Sequence, residues 1–216
     1  MVKVQNVKMK YPNGDGLERI NLEVRPGEFV YLVGPTGAGK SSVLKLIYME
    51  EFPVEGYVLV DQFNSQYIRP GDIPHLRRRL GVIFQDFKLL DDRDVFENVA
   101  FALRVTSARR KDIKKKSLRA LAEVGLSHKS RKMPYELSGG EQQRAAIARA
   151  IVNEPFILLA DEPTGNLDPK TAVEIMNLLD KLHARGTAVL MATHNYQLVN
   201  SSSKRVVSIK NGRTLS

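Results

Sequence analysis

An α/β fold built on parallel strands buried on both faces is predicted by three stretches of the sequence. Phe156-Ile157-Leu158-Leu159-Ala160 and Ala188-Val189-Leu190-Met191-Ala192 are continuous apolar runs of strand length, the pattern of strands covered on both sides. Thr171 to Ala184, between them, has amphipathic helical spacing, which makes a βαβ unit. A third β-rich run, Phe29 to Val33, leads directly into Gly34-Pro35-Thr36-Gly37-Ala38-Gly39-Lys40-Ser41 and a helix-like stretch from Lys40 to Met49. Strand, glycine-rich turn and helix in that order define a phosphate-binding loop.

The remaining elements follow in order. Val2, Val4 and Met9, then Ile20, Leu22 and Val24, predict antiparallel strands, with Asn13-Gly14-Asp15-Gly16 supplying the turn between them. Pro26-Gly27 turns the chain into the Phe29 strand, and Val58-Leu59-Val60 and Gly81-Val82-Ile83-Phe84 are further strands. From about Lys88 to Asn153 the period becomes helical. Val95-Phe96, Val99-Ala100 and Leu103 share a stripe, a basic helix follows, and an alanine-rich helix runs from Glu141 to Val152. Arg205 to Ile209, Asn211-Gly212 and Thr214-Leu215 predict a closing hairpin. No internal repeat, low-complexity tract or long linker interrupts the chain.

Composition excludes several classes. With 216 residues, 43% of them hydrophobic, the chain can bury a substantial core, either as one unit or with an inserted lobe. Cysteine is absent, so there is no disulfide framework and no thiolate metal site, and a reducing cytoplasm is expected. Uninterrupted apolar runs reach about five residues, against the ~20 of a membrane helix, and no signal-peptide pattern opens the chain. The expectation is a protein that neither crosses a membrane nor is exported by itself. The net charge of +9 invites an anionic partner. Much of it lies in Arg77-Arg78-Arg79, in the stretch from Arg109 to Lys116, and in Lys129-Ser130-Arg131-Lys132. Ile113, Leu118, Leu121 and Val124 place an apolar stripe behind the second cluster, which favours a solvated helix face. An anionic lipid contact is the alternative.

Residues able to do chemistry sit at one kind of place. Gly34 to Ser41, Gln85, Asp161-Glu162 and His194 each follow a predicted buried strand, and ligands bind at that rim of parallel sheets. In the loop, backbone N–H groups of Gly34, Pro35's neighbour Thr36, Gly37, Ala38 and Gly39 curl around phosphate oxygens, Lys40 adds a point charge, and the Ser41 hydroxyl, followed by Ser42, can ligate Mg²⁺. Asp161 is placed to hold that ion, leaving Glu162 to orient and deprotonate water. Leu137-Ser138-Gly139-Gly140-Glu141-Gln142-Gln143-Arg144 opens a helix, so Ser138, Gly139 and Gly140 form a second anion site at a helix N-terminus. N-capping by Ser138, with Glu141 completing a capping box, accounts for this stretch structurally. It does not explain a second phosphate receptor.

Taken in order, the phosphate loop, Gln85, Leu137 to Arg144, Asp161-Glu162, Asn166-Leu167-Asp168 and His194 resemble the ATP-binding subunits of ABC systems, over essentially the whole chain. The resemblance implies a P-loop NTPase with a RecA-like core (1–87 and 154–216), an N-terminal antiparallel β subdomain and an inserted helical subdomain (88–153). It also implies an ATP-bound homodimer in which Ser138, Gly139, Gly140 and Gln142 of one copy complete the site of the other. The same resemblance assigns Tyr11 to adenine stacking, Gln85 to Mg²⁺ and the lytic water, His194 to the γ-phosphate and Asp168 to communication across the dimer. Asn195 departs from the acidic residue that often follows the histidine.

Finer likeness lies in Gln85 to Leu90, Asp94 to Leu103 and Ile73 to Arg78, which resemble the cell-division branch of that family. This implies an integral membrane partner, received in a groove near Phe87, Leu89 and Leu90, and a place on the cytoplasmic face of the bacterial inner membrane. A lipoprotein-release or macrolide-type exporter subunit shares the Asp161 to Asp168 motif and is the alternative. A soluble ATPase acting on nucleic acid is disfavoured, because no sustained heptads supply the coiled coil such proteins carry. A small-molecule kinase leaves Ser138 to Arg144 and His194 unexplained.

Overall fold

The computed structural model describes residues 1–106 and 108–215. In chain order the strands and α-helices are β1 (Val2–Lys10), β2 (Gly16–Val24), β3 (Phe29–Val33), α1 (Lys40–Ile47), β4 (Glu55–Val60), β5 (Phe63–Asn64), α2 (Ile73–Arg77), β6 (Leu80–Ile83), α3 (Val95–Val105), α4 (Arg110–Glu123), α5 (Gly139–Ile151), β7 (Ile157–Asp161), α6 (Pro169–His183), β8 (Ala188–Thr193), α7 (Tyr196–Asn200), β9 (Arg205–Lys210) and β10 (Arg213–Leu215). The strands join in one sheet of order β5-β4-β1-β2-β10-β9-β3-β8-β7-β6.

The two halves of that sheet differ in kind. β5, β4, β1 and β2 pair antiparallel, and their alternating burial matches the period-2 pattern of the N-terminal sequence. β9, β3, β8, β7 and β6 pair parallel. β3 and β8 are buried at every position, because their alternate residues enter two different cores. Phe29, Tyr31 and Val33 pack under α3 to α6, while Val30 and Leu32 pack with α1 and the N-terminal strands.

The three expected helical segments are α3, α4 and α5, and α3 starts where Asp94 caps it by accepting from the Glu97 N–H at 2.7 Å. Three short elements were not expected. β5, α2 and α7 are two to five residues long, too short for a periodic signal. The closing hairpin does more than pair with itself. β9 lies parallel to β3, and β10 meets β2 at Arg213 opposite Arg19, which stitches the parallel and antiparallel halves together.

Each arginine of the Arg77-Arg78-Arg79 cluster has a partner within the fold. Arg77 donates to the Tyr48 and Met49 carbonyls, Arg78 donates to the Val105 carbonyl, and Arg79 pairs with Asp61 and stacks over Phe156. Arg77 and Arg78 close the C-terminal ends of α1 and α3, where free carbonyls need donors.

Where α5 crosses β6 the fit is tight. A Cβ added to Gly81 would stand 2.5 Å from Leu158 Cδ2 and 2.7 Å from the Ala150 carbonyl oxygen. Gly81→Ala is therefore expected to destabilise the protein by about 1–3 kcal/mol, the usual cost of overpacking; a denaturant midpoint equal to that of the wild type would contradict this packing.

Candidate functional site

The register of the parallel strands brings the motif residues together. Val33 pairs with Thr193, Ala192 with Asp161, and Ala160 with Ile83. The C-terminal ends of β3, β8, β7 and β6 therefore lie side by side, carrying the phosphate loop, His194, Asp161-Glu162 and Gln85. A cavity of ≈230 Å³ is lined there by Thr36, Gly37, Gly39, Lys40, Ser41, Ser42, Gln85, Glu162 and His194.

The loop is shaped by its neighbours. Gly39 caps α1 with φ 101°, and a Cβ there would meet Leu17 Cδ2 at 2.4 Å, so both backbone and packing demand glycine. A Cβ on Gly34 would stand 2.3 Å from the Ile209 carbonyl oxygen. No side chain caps α1, so its leading N–H groups and the positive end of its dipole face the cavity, which is the arrangement of an anion receptor. Lys40 is 6% exposed, and its ammonium donates to the Gly34 and Pro35 carbonyls at 2.8 and 3.2 Å.

Glu162 stands at the centre of this polar group. It has φ 46° and is held by its N–H on the Ala192 carbonyl at 3.0 Å, a left-handed conformation that non-glycine residues keep only where surroundings enforce it. Its Oε1 lies 3.4 Å from Lys40 Nζ and accepts from His194 Nδ1 at 2.8 Å, while Oε2 accepts from the His194 N–H at 3.3 Å. A carboxylate can only accept here, so Nδ1 carries a proton and Nε2 is left for other partners.

Asp161 is the last residue of β7, not a residue beyond it. Burial pushes its carboxyl above the ordinary range; the Ser41 hydroxyl opposes this and the charge of Glu162 adds to it. Its Oδ1 is buried without a partner. An orphaned carboxylate oxygen beside a hydroxyl, with the Gln85 amide on the same cavity, fits a hard divalent cation that completes its shell with phosphate oxygens and water. Among the described residues no cluster of three or more His, Cys, Asp or Glu forms a competing metal centre.

Other predicted residues border this centre. The Tyr11 hydroxyl donates to Ser42 Oγ at 3.1 Å, which places the ring beside the loop and outside the cavity lining. Asn166 Nδ2 donates to the Gln85 carbonyl at 3.3 Å, and Asp168 caps α6 by accepting from the Thr171 N–H at 3.0 Å. Asn195, where the sequence departs from the expected acid, caps α7 through the Leu198 N–H at 3.1 Å. Ser138, Gly139, Gly140 and Gln142 line no part of the cavity. Ser138 and Glu141 form the capping box, and the Lys129 ammonium with the Ser138 N–H holds the Glu141 carboxyl down to about 2.

Two residues of the site region carry no motif. Asn98 is fully buried, with its side chain bonded to the Leu90 N–H and to the carbonyls of Leu90, Arg93 and Asp94. Arg149 donates to the Phe87 and Lys88 carbonyls. Both hold the segment after Gln85 against the helices. The only sequence signal for Asn98 is a polar residue on an otherwise apolar stripe. Of the three apolar residues expected to form a groove, Leu90 lines one of ≈450 Å³, Leu89 packs against the core, and Phe87 is half-buried outside the lining.

Comparison with known proteins agrees with this geometry. The ABC transporter family model matches residues 17–165, and the chain belongs to that family of ATP-binding subunits. Within it, the chain is 52% identical over 213 residues to the cell division ATP-binding protein FtsE of Bacillus subtilis, covering 98% of this chain and 93% of that protein. It is 42% identical to FtsE of Escherichia coli, covering 98% and 96%. Among solved structures it superposes with a TM-score of 0.89, at 35% identity, on the ATP-binding cassette MJ0796 in a dimeric post-hydrolysis state bound to ADP and Pi, covering all of this chain and 97% of that one. It superposes equally well, at 31% identity, on cbiO1 of Clostridium perfringens, covering all of this chain and 86% of that one.

The raised pKa of Asp161 has a stability consequence. The folded state binds this proton more tightly than the unfolded chain, so stability falls as pH rises from the ordinary Asp value of about 4 through the raised one. Asp161→Asn removes the penalty. The nucleotide-free variant is expected to melt roughly 2–4 °C higher at pH 7, as relief of about 1 kcal/mol gives in a chain of this size, and to lose that advantage in acid. Calorimetric scans at both pH values check it.

Proposed function

We propose that this chain is the ATP-hydrolysing subunit of an FtsE-type cell-division complex, in which two copies close over two ATP molecules and transmit that closure to an integral membrane partner of the FtsX type. The observation that carries the reading is a half-built site. One copy gathers the phosphate loop, Gln85, Glu162 and His194 around a cavity, while its second anion receptor, at Ser138, lies outside that lining. A two-fold pairing of loop against signature uses both surfaces twice, as a self-complementary interface must. In this reading 88–153 moves as a helical unit on a core of 1–87 and 154–216, and Asp168 lies at the seam.

ATP and water give ADP and phosphate. The loop N–H groups and Lys40 bind the β- and γ-phosphates, and Tyr11 stacks on adenine. Bound triphosphate competes with Glu162 for Lys40 and His194, the two side chains its carboxylate contacts here. Glu162 is thereby freed to take a proton from water oriented by Gln85, as the water oxygen attacks the γ-phosphorus and the bond to ADP breaks. His194 and the partner copy's signature stabilise the developing charge by hydrogen bonds. Asp161, Ser41 and Gln85 are the residues that would hold Mg²⁺, which would offset charge on the phosphate oxygens.

The membrane partner docks in the ≈450 Å³ groove between β6, α3 and α5, where Leu90, Phe101 and Val105 are apolar contacts. No described helix is long and apolar enough to cross a membrane, and the site of action is the cytoplasmic face of the inner membrane. Anionic lipid is the contact for α4, where Arg110, Lys111, Lys114 and Lys115 make no ion pair among the described residues.

Two experiments test this. Glu162→Gln is expected to bind ATP normally, lose about 10²–10⁴ in turnover and accumulate as an ATP-bound dimer in light scattering; a monomer at saturating ATP would refute the closed pair. Leu90→Ser combined with Val105→Ser is expected to keep basal hydrolysis and lose co-purification with the membrane partner. Undiminished co-purification would place the docking surface elsewhere.

A further inference from the structure

Two residues after Gln85 the backbone enters a turn that its own residues disfavour. Phe87 has φ 59° and Lys88 φ 49°, consecutive left-handed conformations without a glycine. Local bonds give modest support, with Phe87 N–H on the Phe84 carbonyl at 3.3 Å and Lys88 N–H on that of Asp86 at 2.6 Å. The larger restraint comes from α5. Arg149 Nη2 donates to the Phe87 carbonyl at 2.8 Å, and Nη1 donates to the Lys88 carbonyl. Burial pulls the guanidinium pKa down, yet no described carboxylate pairs with it. Its donors are committed to two peptide carbonyls, a pairing that needs the planar fork of arginine. The same side chain lines the ≈450 Å³ groove beside Leu90, Phe101 and Val105.

We infer that Arg149 is a positioning residue for Gln85: its fork across the Phe87 and Lys88 carbonyls holds the left-handed turn that aims Gln85 into the phosphate cavity. The inference rests on the reading above in which Gln85 orients the attacking water. Because Arg149 also faces the groove, it is where a groove occupant acts on Gln85. It lies outside the lining of the phosphate cavity, so its effect falls on turnover and not on ATP capture.

The test compares Arg149→Met, Arg149→Lys, Lys88→Gly and the double variant Arg149→Met/Lys88→Gly in the isolated protein with Mg-ATP. Arg149→Met is expected to lower kcat about 10- to 100-fold, the scale of a misplaced catalytic contact, with KM for ATP unchanged. Arg149→Lys recovers little, since one ammonium does not reproduce the fork. Lys88→Gly alone leaves kcat unaltered, and in the Arg149→Met background it restores much of the loss, because glycine adopts the turn without the clamp. Hydrogen exchange of residues 84–90 in nucleotide-free protein reads the clamp apart from catalysis: it accelerates in Arg149→Met and slows again in the double variant. Wild-type kcat in Arg149→Met, or a loss that Lys88→Gly does not repair, would overturn the inference. Absence of hydrolysis in the wild type, with exchange at 84–90 still responding to Arg149, would refute the ATPase reading and leave the clamp standing.

Discussion

Parallel pairing in step along β3, β8, β7 and β6 is the constraint on which the rest of the molecule depends. Val33 stands opposite Thr193, Ala192 opposite Asp161 and Ala160 opposite Ile83, so four loops leave the sheet at one level. A slip of one residue in any ladder would turn Asp161 or Thr193 to the opposite face. Both faces of these strands are packed in separate cores, which makes such a slip costly. The precision of the rim is therefore a product of burial far from it.

At that rim the chain carries features that oppose stability. Asp161 has a buried oxygen without a partner, Glu162 is in a left-handed conformation, and Lys40 is nearly enclosed with carbonyls and one carboxylate around it. Each costs stability where it stands. Residues of no motif restrain the surroundings. Asn98 satisfies four backbone groups of the segment before α3, and Arg77 and Arg78 tie off carbonyls at the ends of α1 and α3. The positive charge of the chain is partly structural for this reason, while on α4 Arg110, Lys111, Lys114 and Lys115 make no ion pair among the described residues.

The legibility of the fold followed element length. Strands β7 and β8 and the helix between them were plain because both faces of each strand are apolar and the helix repeats over four turns. β5, α2 and α7 left no trace, since two to five residues hold no period. The site was readable where backbone chemistry demands specific residues, as at Gly39 with φ 101° and in the Asp161-Glu162 pair. Arg149 was not: an arginine in an alanine-rich helix looks like an exposed charge until the carbonyls it meets, some sixty residues earlier in the chain, are known.

By itself, the sequence determined the α/β class, the phosphate loop and the identity of the groups that reach the rim, because these rest on local patterns of burial and on the stereochemistry of single residues. Tertiary structure alone decided that β9 and β10 join the two half-sheets, that Arg77 and Arg78 close the ends of α1 and α3, and that Glu162 rests on Lys40 and His194. Those outcomes depend on pairings between residues distant in the chain, and such pairings leave no periodic signal in either partner.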